Sequence, residues 1–261
     1  MEPLKPKKHL GQHFLADENT ARKIVDLLRV PAEGAVVEIG PGMGVLTKYL
    51  LDRFEEVNVV EFDPDAVAYL QATYGDRGLV IHHADFLKWD FAAHLKGPAH
   101  FIGNLPYNVS SPIFFRLLEQ RALVRDAVFM VQKEVADRVC APESAPAKLK
   151  GILSVLVSRY FKTKMAFKVK PTVFRPPPKV MSAVFTLDKL AEPGPPEFDL
   201  YKQVVKAAFG KRRKTLRNAL RELDIPWDSL PSEWPSARAE ALPYDGFEQI
   251  AATLSPSKHN A

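Results

Sequence analysis

The chain has 261 residues, of which 46% are apolar and 26% charged, with a formal net charge of +5 and one cysteine, Cys140. That length suffices for one large core and a small second domain, and a single thiol excludes an internal disulfide and fits a reducing cytoplasm. No apolar run approaches about 18 residues, and Lys5, Lys7 and Lys8 are not followed by a signal-peptide core, so neither a membrane span nor a secretion signal is expected. The positive balance favours an anionic partner. The histidines and the cysteine show no metal-ligand spacing, so no metal is expected, and His82-His83 lies in a strand-like run whose side chains face opposite ways.

Residues 1 to 15 form a basic arm. Asp17 is placed to cap a helix that turns Ile24, Val25, Leu27 and Leu28 toward a core and ends before Pro31. Ala35 to Ile39 reads as a short buried strand, Gly40-Pro41-Gly42-Met43-Gly44 as a turn, and Val45 to Leu51 as a helix. A strand, a glycine turn and a helix present free N–H groups and a small-residue gap to a ligand. The dinucleotide pattern GxGxxG needs glycine where this chain has Val45, which argues against a dehydrogenase and leaves a nucleoside site. A second strand, Val57 to Val60, ends in Glu61, about 20 residues past the glycines, where a carboxylate accepts from ribose hydroxyls. A third, Leu79 to Ile81, runs to Asp85, placed to accept from an adenine amino group with Phe62 and Phe86 flanking the ring. Singly these are ordinary loop acids; their shared position at successive strand ends points to a ligand.

The fourth strand ends in Phe101-Ile102-Gly103-Asn104-Leu105-Pro106-Tyr107. Pro106 has a fixed φ and no N–H, and Leu105 before it is biased to extended backbone, so the carbonyls of Asn104 and Leu105 are held in one orientation. Two fixed acceptors suit an amino group with two hydrogens. An exocyclic amine such as adenine N6 is a poor nucleophile because its lone pair is delocalised; accepting both hydrogens as the nitrogen pyramidalises aims that lone pair at an electrophile. Tyr107 adds a face on which a base can stack. The plain alternative is a strand-to-helix turn.

A helix over Pro112 to Leu118 and a fifth strand over Ala127 to Val131 continue the alternation. Sixth and seventh strands are expected at Val155 to Phe161, which equally reads as a helix start, and at Val180 to Leu187. Cys140 to Gly151 reads as a mobile basic loop. Val173 to Val180 is a stiff polyproline stretch in which Phe174 is either core or a second stacking face. Lys189 to Glu197, with Pro193, Gly194, Pro195 and Pro196, is the domain boundary. Beyond it, Phe209 to Arg221 reads as one helix. It holds six basic residues, Lys211, Arg212, Arg213, Lys214, Arg217 and Arg221, and no acidic one. Arg213, Arg217 and Arg221 are spaced to share a face opposite an apolar stripe of Leu216, Leu220 and Leu223, a charge cluster that phosphate would relieve. A last helix is expected over Phe247 to Leu254.

Together these motifs resemble the small-subunit ribosomal RNA adenine N6-dimethyltransferase family. The markers are GQHFL at Gly11 to Leu15, EIGPGMG at Glu38 to Gly44, NLPYNVS at Asn104 to Ser110, QKEV at Gln132 to Val135, FRPPPKVMSAV at Phe174 to Val184 and FGKRRKTLRNAL at Phe209 to Leu220. The resemblance implies an α/β fold: a class I, Rossmann-like, seven-stranded methyltransferase domain over 1–188, a Pro-rich linker over 189–197 and a small all-helical RNA-binding domain over 198–261. It implies S-adenosylmethionine as cofactor, S-adenosylhomocysteine as product, and dimethylation of two adjacent adenines near the 3′ end of small-subunit rRNA within an immature subunit. His13 and Leu15 would touch the cofactor, Gly40 and Gly42 its methionine part, Glu61 its ribose, Asp85 its adenine, and Asn104 the point where methyl and amine meet. Tyr107 and Phe174 occupy the family's base-stacking positions. A monomer is the default expectation. The family usually has Asn where this chain has His13, and commonly Tyr where it has Lys150. Three alternatives stand beside this reading: a resistance-type large-subunit rRNA methyltransferase, disfavoured by the markers after residue 174; a DNA adenine methyltransferase; and a mainly non-catalytic assembly factor.

Overall fold

The computed structural model describes residues 7, 12–28, 34–191 and 197–254. Lys5, Lys8, Gly11, Pro31 and the prolines of the expected linker, Pro193, Pro195 and Pro196, lie outside them. The chain divides into two compact units, one running to Asp137 with Lys162–Lys189 added, the other Arg138–Phe161 with the chain from Leu190. Residues 138–161, expected from the sequence within the first domain, therefore group with the C-terminal helices.

The first unit holds β1 (Phe14–Leu15), α1 (Glu18–Val25), β2 (Val36–Ile39), α2 (Thr47–Leu51), β3 (Val57–Glu61), α3 (Pro64–Tyr74), β4 (Val80–His83), α4 (Phe91–His94), β5 (Ala99–Asn104), α5 (Ser110–Glu119), β6 (Val124–Gln132), α6 (Lys133–Val139), β7 (Phe161–Val169), β8 (Phe174–Arg175) and β9 (Ser182–Lys189). Seven strands form one sheet in the order β4-β3-β2-β5-β6-β9-β7. From β2 the chain winds outward through β3 to β4, then returns to β5 on the other side of β2 and continues to β6, all in parallel. β9 runs antiparallel to β6, with Gln132 opposite Ser182. The reversal between β2 and β5 opens a crevice at the carboxyl ends of the strands, where open parallel sheets bind ligands. The strands beside it are buried: all four residues of β2 and all five of β3, Glu38, Asn58 and Glu61 among them.

Local signals account for several boundaries. Asp17 Oδ1 accepts the Thr20 N–H at 2.7 Å, the expected N-cap. Asp63 caps α3 in the same way, with Pro64 at the first helical position. The helix expected from Val45 starts at Thr47, because Gly42–Leu46 is turn. Gly44 needs its φ of +74°, and a Cβ there would meet the Tyr74 ring at 2.6 Å.

Of the two readings open for Val155 to Phe161, the helix is the one formed: α7 (Ile152–Tyr160) belongs to the second unit, and the strand begins where that helix stops. Cys140 to Gly151 is loop, as expected, and is built of turns. Pro142 and Pro146 carbonyls close turns with Ala145 and Leu149 at 2.9 Å, and Tyr244 Oη donates to the Ala141 carbonyl at 3.1 Å.

In the second unit α7 and α10 (Tyr244–Leu254) pack on α8 (Phe198–Gly210), and Phe209 stacks on Phe247 with ring centroids 5.6 Å apart. The single basic helix expected over Phe209 to Arg221 is not formed. α8 stops at Gly210, Lys211–Lys214 form a turn, and α9 spans only Leu216–Ala219, so Arg213, Arg217 and Arg221 do not share one helix face. The apolar stripe survives: Leu216 and Leu220 are buried. The cluster also has counter-charges, for Lys211 pairs with Glu222 and Arg212 with Glu240, each at 3.0 Å. Lys150, the departure from the family pattern, sits 5.9 Å from the Tyr244 ring centre and donates to the Glu240 carbonyl.

Candidate active site

A cavity of about 290 Å³ opens at the carboxyl ends of β2, β3, β4 and β5. Eleven of the residues expected there line it: His13, Gly40, Gly42, Glu61, Phe62, Asp85, Phe86, Asn104, Leu105, Pro106 and Tyr107. Two do not. Leu15 faces a neighbouring cavity on the far side of the glycine turn, and Phe174 is buried in the core, paired with Leu15 between β8 and β1. Of the two readings open for Phe174, core is the one its place fits.

Each wall has a local cause. The turn after β2 puts Gly42 at φ +56°, and a Cβ there would meet the Phe14 ring at 2.8 Å. Its N–H donates to Glu61 Oε2 at 3.1 Å, while the Asp63 N–H donates to Glu61 Oε1 at 2.8 Å. Each carboxylate oxygen of Glu61 thus holds one backbone donor and keeps lone pairs for a ligand. Burial pushes the Glu61 carboxyl up despite these bonds. Asp85 Oδ1 accepts the Leu87 N–H at 3.0 Å, which fixes the turn after β4. Phe86 packs against Trp89, Phe91 and Phe101, whereas Phe62 is 61% exposed, so the expected pair of flanking rings is one embedded wall and one free ring at the rim.

Asn104 is the last residue of β5. Its Nδ2 donates to the His13 carbonyl at 2.9 Å, which sets the amide orientation, and Oδ1 accepts no hydrogen bond among the described residues. Leu105 N–H donates to the Met130 carbonyl at 3.0 Å, tying the following loop to β6. His13 thus acts on Asn104 through backbone, which an Asn-to-His change leaves intact. The pocket also contains Gln12, to which sequence reasoning gave no role: its Nε2 reaches Asp63 Oδ2 at 3.1 Å, and Lys7 Nζ reaches Asp63 Oδ1 at 2.6 Å and Asp65 Oδ2 at 2.7 Å. Burial works to raise the Asp63 carboxyl, but the bonds from Lys7 and Gln12 outweigh it and hold Asp63 below the usual range. An Asp directly before Pro64, an N-cap pattern, is the local signal by which this acid could have been found; its partners leave no such signal.

Glu38 is a second buried acid at this end of the sheet. Thr47 Oγ1 lies 2.5 Å from Glu38 Oε2, and burial pushes Glu38 up to about 8. The folded state keeps a proton that an unfolded chain releases near pH 4.5, so the stability linked to Glu38 is fullest below that pH and is lost as the pH rises to about 8. Glu38→Gln is expected to remove this slope. Urea unfolding at about pH 5 and about pH 9 should show the wild type losing on the order of 3 kcal/mol between them, with most of that change absent in the variant.

A doubly wound sheet with a glycine turn, an acid ending the next strand and an Asn-Leu-Pro-Tyr loop at one edge is the arrangement of a Rossmann-like, class I methyltransferase. The family model for ribosomal RNA adenine dimethylase matches residues 4–226. The ribosomal RNA small subunit methyltransferase A of Thiobacillus denitrificans is 42% identical over 254 residues, covering 96% of this chain and 98% of that one. Its namesake from Aromatoleum aromaticum is 45% identical over 263 residues, covering 98% of each. Two solved structures share the fold, each at 24% identity: a dimethyladenosine transferase from Plasmodium falciparum, with TM-score 0.77 over 91% of this chain and 96% of that one, and the 23S rRNA methyltransferase ErmE, with TM-score 0.68 over 93% and 100%. The chain belongs to the ribosomal RNA adenine dimethylase family.

Proposed function

We propose that this protein uses S-adenosylmethionine to dimethylate N6 of two adjacent adenines in the 3′-terminal hairpin loop of small-subunit rRNA, acting in the cytoplasm, as a monomer, on immature small subunits. The observation that carries the reading is Asn104, held by the His13 carbonyl with Oδ1 turned free beside the Leu105-Pro106-Tyr107 loop. The residues suit the cofactor: Glu61 offers lone pairs for ribose hydroxyls, Asp85 and Phe86 form an adenine-sized wall, and Gly40 leaves room on the amino-acid side while the Gly42 turn packs on Phe14. When bound, S-adenosylmethionine supplies an electrophilic methyl group on a sulfonium. Asn104 Oδ1 and the Leu105 carbonyl accept the two hydrogens of the target amine and orient its lone pair. Each methyl transfer leaves the nitrogen cationic and makes one of its protons acidic enough to leave to water, so no strong base is required. Tyr107 receives the unstacked base, and a hairpin loop lowers the cost of unstacking it.

The test is incubation with methyl-labelled S-adenosylmethionine and immature small subunits, with large subunits and duplex DNA in parallel, followed by digestion to nucleosides. Dimethyladenosine from small subunits alone is the expected result. Label in large-subunit RNA or DNA overturns the substrate assignment, and no label with cofactor still bound favours an assembly role. The small-subunit relatives at 42% and 45% identity support this substrate over the large-subunit one.

For the rRNA backbone the proposed contacts are the exposed Lys211, Arg212, Arg213, Lys214, Arg217 and Arg221. Arg213→Ala/Arg217→Ala/Arg221→Ala is expected to lower the slope of log affinity against log salt by about 2, measured by filter binding at several salt concentrations. An unchanged slope would remove these three from the interface.

A further inference from the structure

Tyr107 is held from two sides by residues outside its own loop. Its hydroxyl lies 2.6 Å from Ser182 Oγ, and Ser182, the first residue of β9, is wholly buried. The His13 ring packs 5.3 Å from the Tyr107 ring at 30°, and His13 Nδ1 is itself 2.8 Å from the Pro176 carbonyl. Pro176, just after β8, and Ser182, the first residue of β9, bound the connection between those strands. β9 is a rigid support, paired to β6 along its length from Ser182 opposite Gln132 to Asp188 opposite Asp126. A tyrosine that is half-buried in a loop does not need such a partner for its hydroxyl, because water can serve it. The hydroxyl lies on the ring's long axis, so its bond to a buried serine on β9, between β6 and β7 in the sheet, fixes where that axis points and keeps the ring from swinging toward solvent, while the His13 ring packed beside it sets the ring plane.

We infer that Ser182 is a positioning residue of this enzyme: through the Tyr107 hydroxyl it fixes the direction of the ring's long axis, and so the place where the unstacked target adenine stacks and the alignment of N6 with Asn104 and the Leu105 carbonyl. The inference rests on the function proposed above. Ser182 touches neither substrate nor cofactor; it acts through Tyr107. Loss of the bond leaves the pocket walls and Glu61 in place but lets the ring tilt, and misplacement by about 1 Å is enough to slow a reaction that depends on alignment.

The experiment compares wild type, Ser182→Ala, Tyr107→Phe and the double variant in single-turnover methylation of immature small subunits. It also follows the ring resonances of carbon-13-labelled tyrosine in the free protein, with Tyr107 assigned by its disappearance in Tyr107→Phe. Each single change should slow methyl transfer at saturating RNA by about 5- to 50-fold, with cofactor affinity and the RNA KM nearly unchanged. The double variant should be no slower than either single one, because both remove the same bond. In Ser182→Ala the Tyr107 resonance should shift, while the melting temperature shows the protein still folded. Multiplied losses in the double variant, a loss confined to KM or cofactor affinity, or an unmoved Tyr107 resonance overturns the inference. Should the wild type methylate no RNA, the proposed function fails on its own, and the resonance still decides whether Ser182 holds Tyr107.

Discussion

Asn104→Ala is expected to lower the rate of methyl transfer by about 10²- to 10³-fold, the cost of removing one preorganised polar group from a reacting centre. The side chain is fixed before substrate arrives: its Nδ2 is committed to the His13 carbonyl at 2.9 Å, so Oδ1 carries no cost of reorientation when an amine binds. The defect should therefore appear in single-turnover rate at saturating RNA and cofactor rather than in RNA affinity. Asn104→Asp separates orientation from acceptance. It keeps an oxygen but loses the donor to His13 O and sets two carbonyl-like oxygens against each other, so it should also fall well below wild type. Retention of more than about a tenth of the wild-type rate in Asn104→Ala would show that Leu105 alone orients the amine.

Glu61→Ala is expected to weaken S-adenosylmethionine binding by about 10- to 100-fold, measured by calorimetry on the purified chain. Two losses combine. The ligand's hydroxyls lose an ionisable acceptor, and the Gly42 and Asp63 N–H groups, bonded to Glu61 at 3.1 and 2.8 Å, lose the partner that shapes the glycine turn. Glu61→Gln should rescue little, because the amide turns an N–H₂ toward one of two backbone donors. Burial also raises the Glu61 carboxyl, so wild-type affinity should decline as the pH falls toward its titration, while the Glu61→Gln variant shows no such decline. A dissociation constant within twofold of wild type in Glu61→Ala would place the ribose elsewhere.

Much of the first unit was legible because parallel strands covered on both faces write themselves as short, mostly apolar runs between turns. Val36–Ile39, interrupted only by Glu38, Val57–Val60, interrupted only by Asn58, and Ala127–Val131 are of that kind, and the acids and Asn104 at the ends of such runs fall at one edge by topology alone. The same signal left Val155 to Phe161 open between strand and helix, since a continuous apolar run reads alike as a buried strand and a buried helix. The neighbouring strand carried the better clue: Phe161, Thr163, Met165, Phe167 and Val169 alternate with Lys162, Lys164 and Lys168, the period of two of a strand with one solvated face.

By itself the sequence determined the α/β alternation, the glycine turn, the acids at the strand ends and the rigid Asn-Leu-Pro-Tyr loop, because each is a local matter of periodicity, φ preference or a missing N–H. Only the tertiary structure decided what the isolated segments leave open. It broke the basic stretch at Gly210 and gave Lys211 and Arg212 the partners Glu222 and Glu240, it buried Phe174, and it brought His13 and Ser182 to Tyr107 across 94 and 75 residues of sequence. The burial of Phe174 and the meeting of His13 and Ser182 at Tyr107 depend on pairings between β1 and β8 and between β6 and β9, and a two-residue ribbon or a single buried hydroxyl leaves no periodic trace in the chain that forms it; the partners of Lys211 and Arg212 come from packing within the second unit.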